Sequence, residues 1–134
     1  MSATACVVDT DVVSFLFKNT PEAQSYFSHL SGRLVVVSFM TVAELDRWAL
    51  HRSWGARRTA RMNAHLQRFV FYSADRALCR TWAAITDSER RKGRVISTAD
   101  AWIAATALVN NIPLVTHNKK HFETVDNLIV ISEA

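Results

Sequence analysis

The chain is poor in the residues that interrupt structure. Three glycines and two prolines in 134 residues leave little room for linkers, repeats or low-complexity tracts. An apolar fraction of 49% argues against disorder. No apolar run approaches the ~18–20 residues needed to cross a bilayer, and the N-terminus lacks the basic start and small-residue cleavage site of a secretory leader. Cys6 and Cys79 are the only cysteines and form no motif, as expected in a reducing compartment. A cytoplasmic single domain over residues 1–134, large enough to bury its own core, is the expectation.

Acids are scarce in the middle of the chain. Residues 47–94 hold eleven Arg and one Lys against three acids, a net of +9, while the remainder holds four bases against nine acids, a net of −5. A basic segment of this kind suits a polyanion, because phosphate contacts release counterions. A solvated helical face is the plain alternative.

Periodicity then supplies the organisation. Ala5–Asp9, "RLVVVS" (33–38), "RFVFYS" (68–73), "IPLVT" (112–116) and "NLIVIS" (127–132) read as strands, most of them apolar throughout. Helices are expected over 11–18, over 21–30 with Thr20 as N-cap and Pro21 at the first position, over 39–54, 56–68 and 74–93, and over 97–111 with Ser97 or Thr98 as cap. A turn or short helix covers 118–123. Buried strands alternating with helices indicate a mainly parallel sheet covered on both faces, an α/β three-layer sandwich. Ligands of such sheets lie beyond the carboxyl ends of the strands, where strand order reverses.

Acids fall at that rim. Asp9 is expected to end the first strand, Glu44 to lie in the second turn of the helix after the second strand, and Asp100 in the first turn of "STADAWIAATAL". Thr116, His117 and Asn118 follow the "PLVT" strand. Each acid alone has an ordinary reading: a helix-dipole partner for Asp100, an exposed position paired with Arg47 for Glu44, a first-turn acid for Asp11. Gathered together, three carboxylates require a cation. All-oxygen donors select Mg²⁺ or Mn²⁺ over zinc, and metal plus a basic flank suggests a nuclease. Trp48, Trp54, Trp82 and Trp102 read as core or dimer contacts. His117 and His121 have zinc-like spacing, but nothing completes such a site.

"VVDTDVVSFL", "SFMTVAEL", "STADAWIAATAL" and "PLVTHNKKHF" resemble the four motifs of PIN domains, in the order found in VapC-type toxins. The resemblance implies a PIN fold and Mg²⁺- or Mn²⁺-dependent endoribonuclease activity on a structured RNA such as transfer or ribosomal RNA. It also implies a homodimer and a cognate antitoxin that blocks the site, with no membrane partner. Carried over, Asp9, Glu44 and Asp100 are metal ligands and catalytic acids. Asn118 stands where the family often has Asp, and Asn118 and Thr116 hold a metal-bound water. Asp11 makes a peripheral contact to such a water. The expected chemistry is attack on phosphorus by a water activated at the ion, with Glu44 positioning it or taking its proton, to leave 5′-phosphate and 3′-hydroxyl ends. Arg57, Arg58, Arg61, Arg90, Arg91 and Arg94 are the expected RNA-phosphate contacts.

Two alternatives accompany this reading. "VVDTDVV" also fits the D-x-D-x-V of haloacid-dehalogenase-like phosphatases, with Asp9 as nucleophile and Asp11 as acid/base, although no later Lys and acidic pair follow. The other is a PIN-like module that binds RNA or protein without cutting, an idea permitted by Asn118.

Overall fold

The computed structural model describes residues 4–134. Five short strands, β1 (Ala5–Val8), β2 (Leu34–Ser38), β3 (Val70–Tyr72), β4 (Leu114–Val115) and β5 (Val130–Ile131), form one sheet in the order β3-β2-β1-β4-β5, every pairing parallel. The helices are α1 (Thr10–Lys18), α2 (Pro21–Leu30), α3 (Phe39–His51), α4 (Ala56–Leu66), α5 (Arg76–Arg91) and α6 (Thr98–Asn110). The expected α/β sandwich is the fold observed.

Strand side chains alternate between two cores, as the pleat requires. Val7, Val36 and Leu114 face α5 and α6, with Leu78, Ile85 and Ile103 around them. Cys6, Val8, Val37 and Val115 face the other way, toward Val12 and Val13 of α1, Tyr26 of α2, Leu45 of α3 and Met62 of α4. Helix α6 carries almost no charge because Ala101, Ala104, Ala105 and Ala107 are fully buried. Such small residues let its backbone lie close to the sheet. Trp82 and Trp102 stack at 4.9 Å on one core, and Trp48 and Trp54 pack on the other, as the sequence reading expects.

Helix boundaries follow local chemistry. Ser97 is the cap of α6, accepting from the Asp100 N–H, and Ser38 caps α3 in the same way through Met40. Asn19 and Asn111 end α1 and α6 in the left-handed region, at φ 53° and 54°, where asparagine is tolerated better than most residues. Thr20 is the N-cap residue of α2 and Pro21 stands at its first position, as expected, with the Thr20 hydroxyl making no capping bond. One expectation needs correction. Asp9 lies just past β1: its N–H still donates to the Val115 carbonyl, but its carboxylate caps α1.

The strand order places the ends of β1 and β4 side by side. From β1 the chain builds outward through β2 and β3, then returns to the other side of β1 for β4 and β5. The reversal falls between β1 and β4, the crevice where parallel sheets bind ligands. The buried Tyr26 hydroxyl supports this junction from below. It accepts the Glu133 N–H at 3.0 Å and lies 2.7 Å from His117 Nδ1. Tyr26→Phe leaves the Glu133 N–H without that acceptor. It is expected to cost about 1–3 kcal/mol in urea unfolding and to speed amide exchange at Glu133. Unchanged stability and exchange would mean that the hydroxyl does not anchor the C-terminal strand.

Candidate metal centre

The crevice is filled by carboxylates. Asp9 is 5% exposed. Its Oδ1 accepts the Thr10 N–H at 2.7 Å, and its Oδ2 accepts the Thr116 hydroxyl at 2.7 Å. One side chain thus ties the start of α1, after β1, to the end of β4. The Thr116 hydroxyl in turn accepts the Asn118 N–H at 3.0 Å. The Thr10 hydroxyl donates to Glu44 Oε1 at 2.7 Å and lies 2.9 Å from the Thr41 hydroxyl. Glu44 and Thr41 are three residues apart on α3 and so share a face.

Asp11 holds the opposite wall. Its Oδ2 accepts the Asn118 side-chain amide at 2.9 Å and the His117 N–H at 3.2 Å, while Oδ1 accepts the Val12 N–H at 2.8 Å. Asp100 reaches the site from the first turn of α6, its Oδ2 being 3.2 Å from His121 Nδ1. Among the described residues, no Lys or Arg forms an ion pair with Asp9, Asp11, Glu44 or Asp100.

Burial of these side chains alters the acids themselves. Burial, with Asp11 and Asp100 nearby, raises Asp9 to about 7. Burial raises Glu44 as well, with Asp100 and Asp11 adding to the effect and the Thr10 hydroxyl opposing it. Asp11 is raised chiefly by burial. Among the described residues, no three acids, histidines or cysteines close into a ready-made cage, so the three-carboxylate ligand set expected from the sequence is not drawn together as a closed group. The donor set fits a hard cation held by one or two carboxylates and several waters, as Mg²⁺ usually is. Asp9 and Asp100 are the residues that would hold it, with Glu44 and Asn118 beside it.

Of the six arginines expected at the RNA, the structure brings only Arg94 to this rim, in a cavity it shares with Asp100, Lys120 and His121. Arg90 and Arg91 pair with Asp87 on the exposed face of α5. Arg58 lies over Trp54 at 4.4 Å, and Arg61 over Phe17 at 5.2 Å. Phe17 is eight residues beyond Asp9 along α1, which is about 12 Å of helix. Arg57 belongs to the same exposed helix α4. Arg47 makes no ion pair with Glu44 among the described residues. Instead Glu44, Arg47, Trp48, His51 and Arg52 line a groove of about 280 Å³. Thr10, Thr41, Arg52 and Lys120 were not singled out by the sequence reading. Thr10 and Thr41 carried a signal, adjacency to Asp9 and an i, i+3 relation to Glu44.

The model of the PIN domain matches residues 6–128. The chain belongs to the PIN-domain family. It is 28% identical over 124 residues to Ribonuclease VapC1 of Haemophilus influenzae strain R2866, covering 91% of this chain and 92% of that one. Among solved structures, VapBC-1 from nontypeable Haemophilus influenzae superposes with a TM-score of 0.83 at 27% identity, over 96% of this chain and 98% of that one. VapBC2 from Rickettsia felis, bound to a DNA fragment from its promoter, gives 0.86 at 20% identity with the same coverage. The VapC-like PIN assignment removes the phosphatase alternative.

The raised Asp9 would make cation binding at this site depend on pH. Near pH 6 the folded protein holds a proton on Asp9 that an unfolded carboxyl, titrating near its ordinary ~4, has lost. The metal-free protein therefore loses stability as pH rises from about 4 to about 7. Mn²⁺ is expected to displace up to about one proton per ion near pH 6 and far fewer above pH 8, its affinity levelling off above about 7. Asp9→Asn keeps the cap and should flatten both profiles in calorimetry and thermal unfolding. Profiles unchanged in the variant would place the titrating group elsewhere.

Proposed function

We propose that the protein is a Mg²⁺- or Mn²⁺-dependent endoribonuclease, the toxin of a type II toxin–antitoxin pair, acting on a structured RNA such as transfer or ribosomal RNA. The observation that carries this reading is the buried Asp9 at the reversal point of the sheet, surrounded by acids with which, among the described residues, no Lys or Arg forms an ion pair. Such an arrangement is costly for a surface that only binds a polyanion, and it suits one that holds a cation against a phosphodiester.

A bound divalent ion supplies neutralising charge and lowers the pKa of water used for hydrolysis. The chain does the rest. Asp9 and Asp100 would hold the ion, and Thr116 and Thr10 fix the Asp9 oxygens. Glu44, fastened by the Thr10 hydroxyl and raised in pKa, is placed to orient a water and accept its proton. The Asn118 amide steadies Asp11, so the fourth motif contributes a donor rather than a further negative charge. Arg94 and Lys120 on one flank, and Arg47 and Arg52 on the other, supply phosphate contacts. The Arg57, Arg58 and Arg61 face of α4 lies apart from the acids and suits an acidic antitoxin segment. A homodimer completes the proposed assembly.

Asn118 is also the observation that favours the second reading, a PIN-like module that binds without cutting. Purified protein incubated with total RNA and Mg²⁺ or Mn²⁺ separates the two. The nuclease yields discrete fragments bearing 5′-phosphate, lost with EDTA and in Asp9→Ala and Glu44→Gln. RNA binding without metal-dependent cleavage would establish the binding module. Fragments ending in 2′,3′-cyclic phosphate would contradict hydrolysis by water.

A further inference from the structure

The acids occupy one side of a larger feature. A cavity of about 530 Å³ opens beside Asp100, between the C-terminal end of α5, the loop into α6 and the turn after β4. Its lining includes Arg94, Lys120, His121 and Thr124, with Glu89 among them. Glu89 is 2% exposed, yet no basic group pairs with it among the described residues. Both of its oxygens share a single donor, the Thr124 hydroxyl, at 2.9 and 3.2 Å. A buried carboxylate has room for about four hydrogen bonds and is costly when so few are made. Val95, at the same cavity, is fully exposed, an apolar side chain standing free in the loop above.

We propose that this cavity is a subsite for one unpaired guanine of the RNA, next to the phosphate held at the acids, with Glu89 as the group that reads it. The inference rests on the ribonuclease reading given above. A carboxylate only accepts, so it favours a base edge presenting two adjacent donors. Among the four RNA bases, guanine alone has one, N1–H beside the N2 amino group. Single-stranded bases are read on this edge. The other walls suit the rest of a nucleotide. Arg94 and Lys120 meet the phosphates, and Val95 offers an apolar contact to the base or ribose. Asp100, common to the cavity and the acid site, sets the nucleotide beside the reacting phosphodiester.

The test separates recognition from cleavage. Short single-stranded RNAs differing only in one central base are titrated by fluorescence anisotropy into Asp9→Asn and into Asp9→Asn with Glu89→Gln. The guanine-containing RNA is expected to bind at least about fivefold more tightly than its A, C and U counterparts, as one bidentate pair allows. Glu89→Gln, which keeps a partner for Thr124 but offers one donor and one acceptor, erases that preference. Arg94→Ala weakens all four RNAs alike. Equal binding of the four bases, or a guanine preference that survives Glu89→Gln, overturns the subsite. In parallel, the otherwise unaltered protein is given a random-sequence RNA pool with Mn²⁺, and fragment ends are sequenced. Cleavage without guanine at a fixed distance from the cut overturns the subsite and leaves the nuclease standing. Guanine-selective binding without cleavage overturns the nuclease and leaves the subsite.

Discussion

Everything at the functional end of this molecule depends on one carboxylate that bridges two strands' ends. Asp9 takes a helix N–H with one oxygen and the Thr116 hydroxyl with the other. The residues after β1 and after β4 are thereby locked together where the sheet changes direction. Burial makes the charge on Asp9 expensive, and the surrounding acids make it more so. The fold accepts such a cost here and at the buried Glu89. Elsewhere its acids are paired with bases, cap helices or remain in water.

The neutral side chains around Asp9 show how the cost is contained. Thr10 donates to Glu44, and the Asn118 amide donates to Asp11, so each acid is oriented without losing its charge to a Lys or Arg. An arginine in the same place would satisfy the acids and close the site to a cation. Threonine and asparagine hold the geometry and leave the electrostatic need unmet. That distinction would separate a metal centre from a structural ion-pair network, and it rests on residues that carry no charge.

The fold was largely legible because its signals are periodic. Apolar strands and capped helices repeat along the chain, and only the boundaries moved: α3 and α4 stop earlier than expected, and β4 and β5 shrink to two residues each. The acids were legible because parallel strands bring the residues after their carboxyl ends together whatever the loops do. The arginines were not. Their role depends on which face of a helix they occupy and on what lies beneath it. Arg58 lies over Trp54, and Arg90 pairs with Asp87, contacts that charge counts along the chain do not encode. Glu89 escaped for the same reason: a charged residue in "SERRKGR" reads as solvated until the turn after β4 is seen to cover it.

The central claim is that the acids at the end of β1 exist to hold a divalent cation. Crystals soaked in Mn²⁺ and measured for anomalous scattering test it directly. The account predicts a peak within bonding distance of the Asp9 and Asp100 carboxylates, absent from Asp9→Asn crystals treated identically. No peak at that rim, or one that persists in the variant, would contradict it.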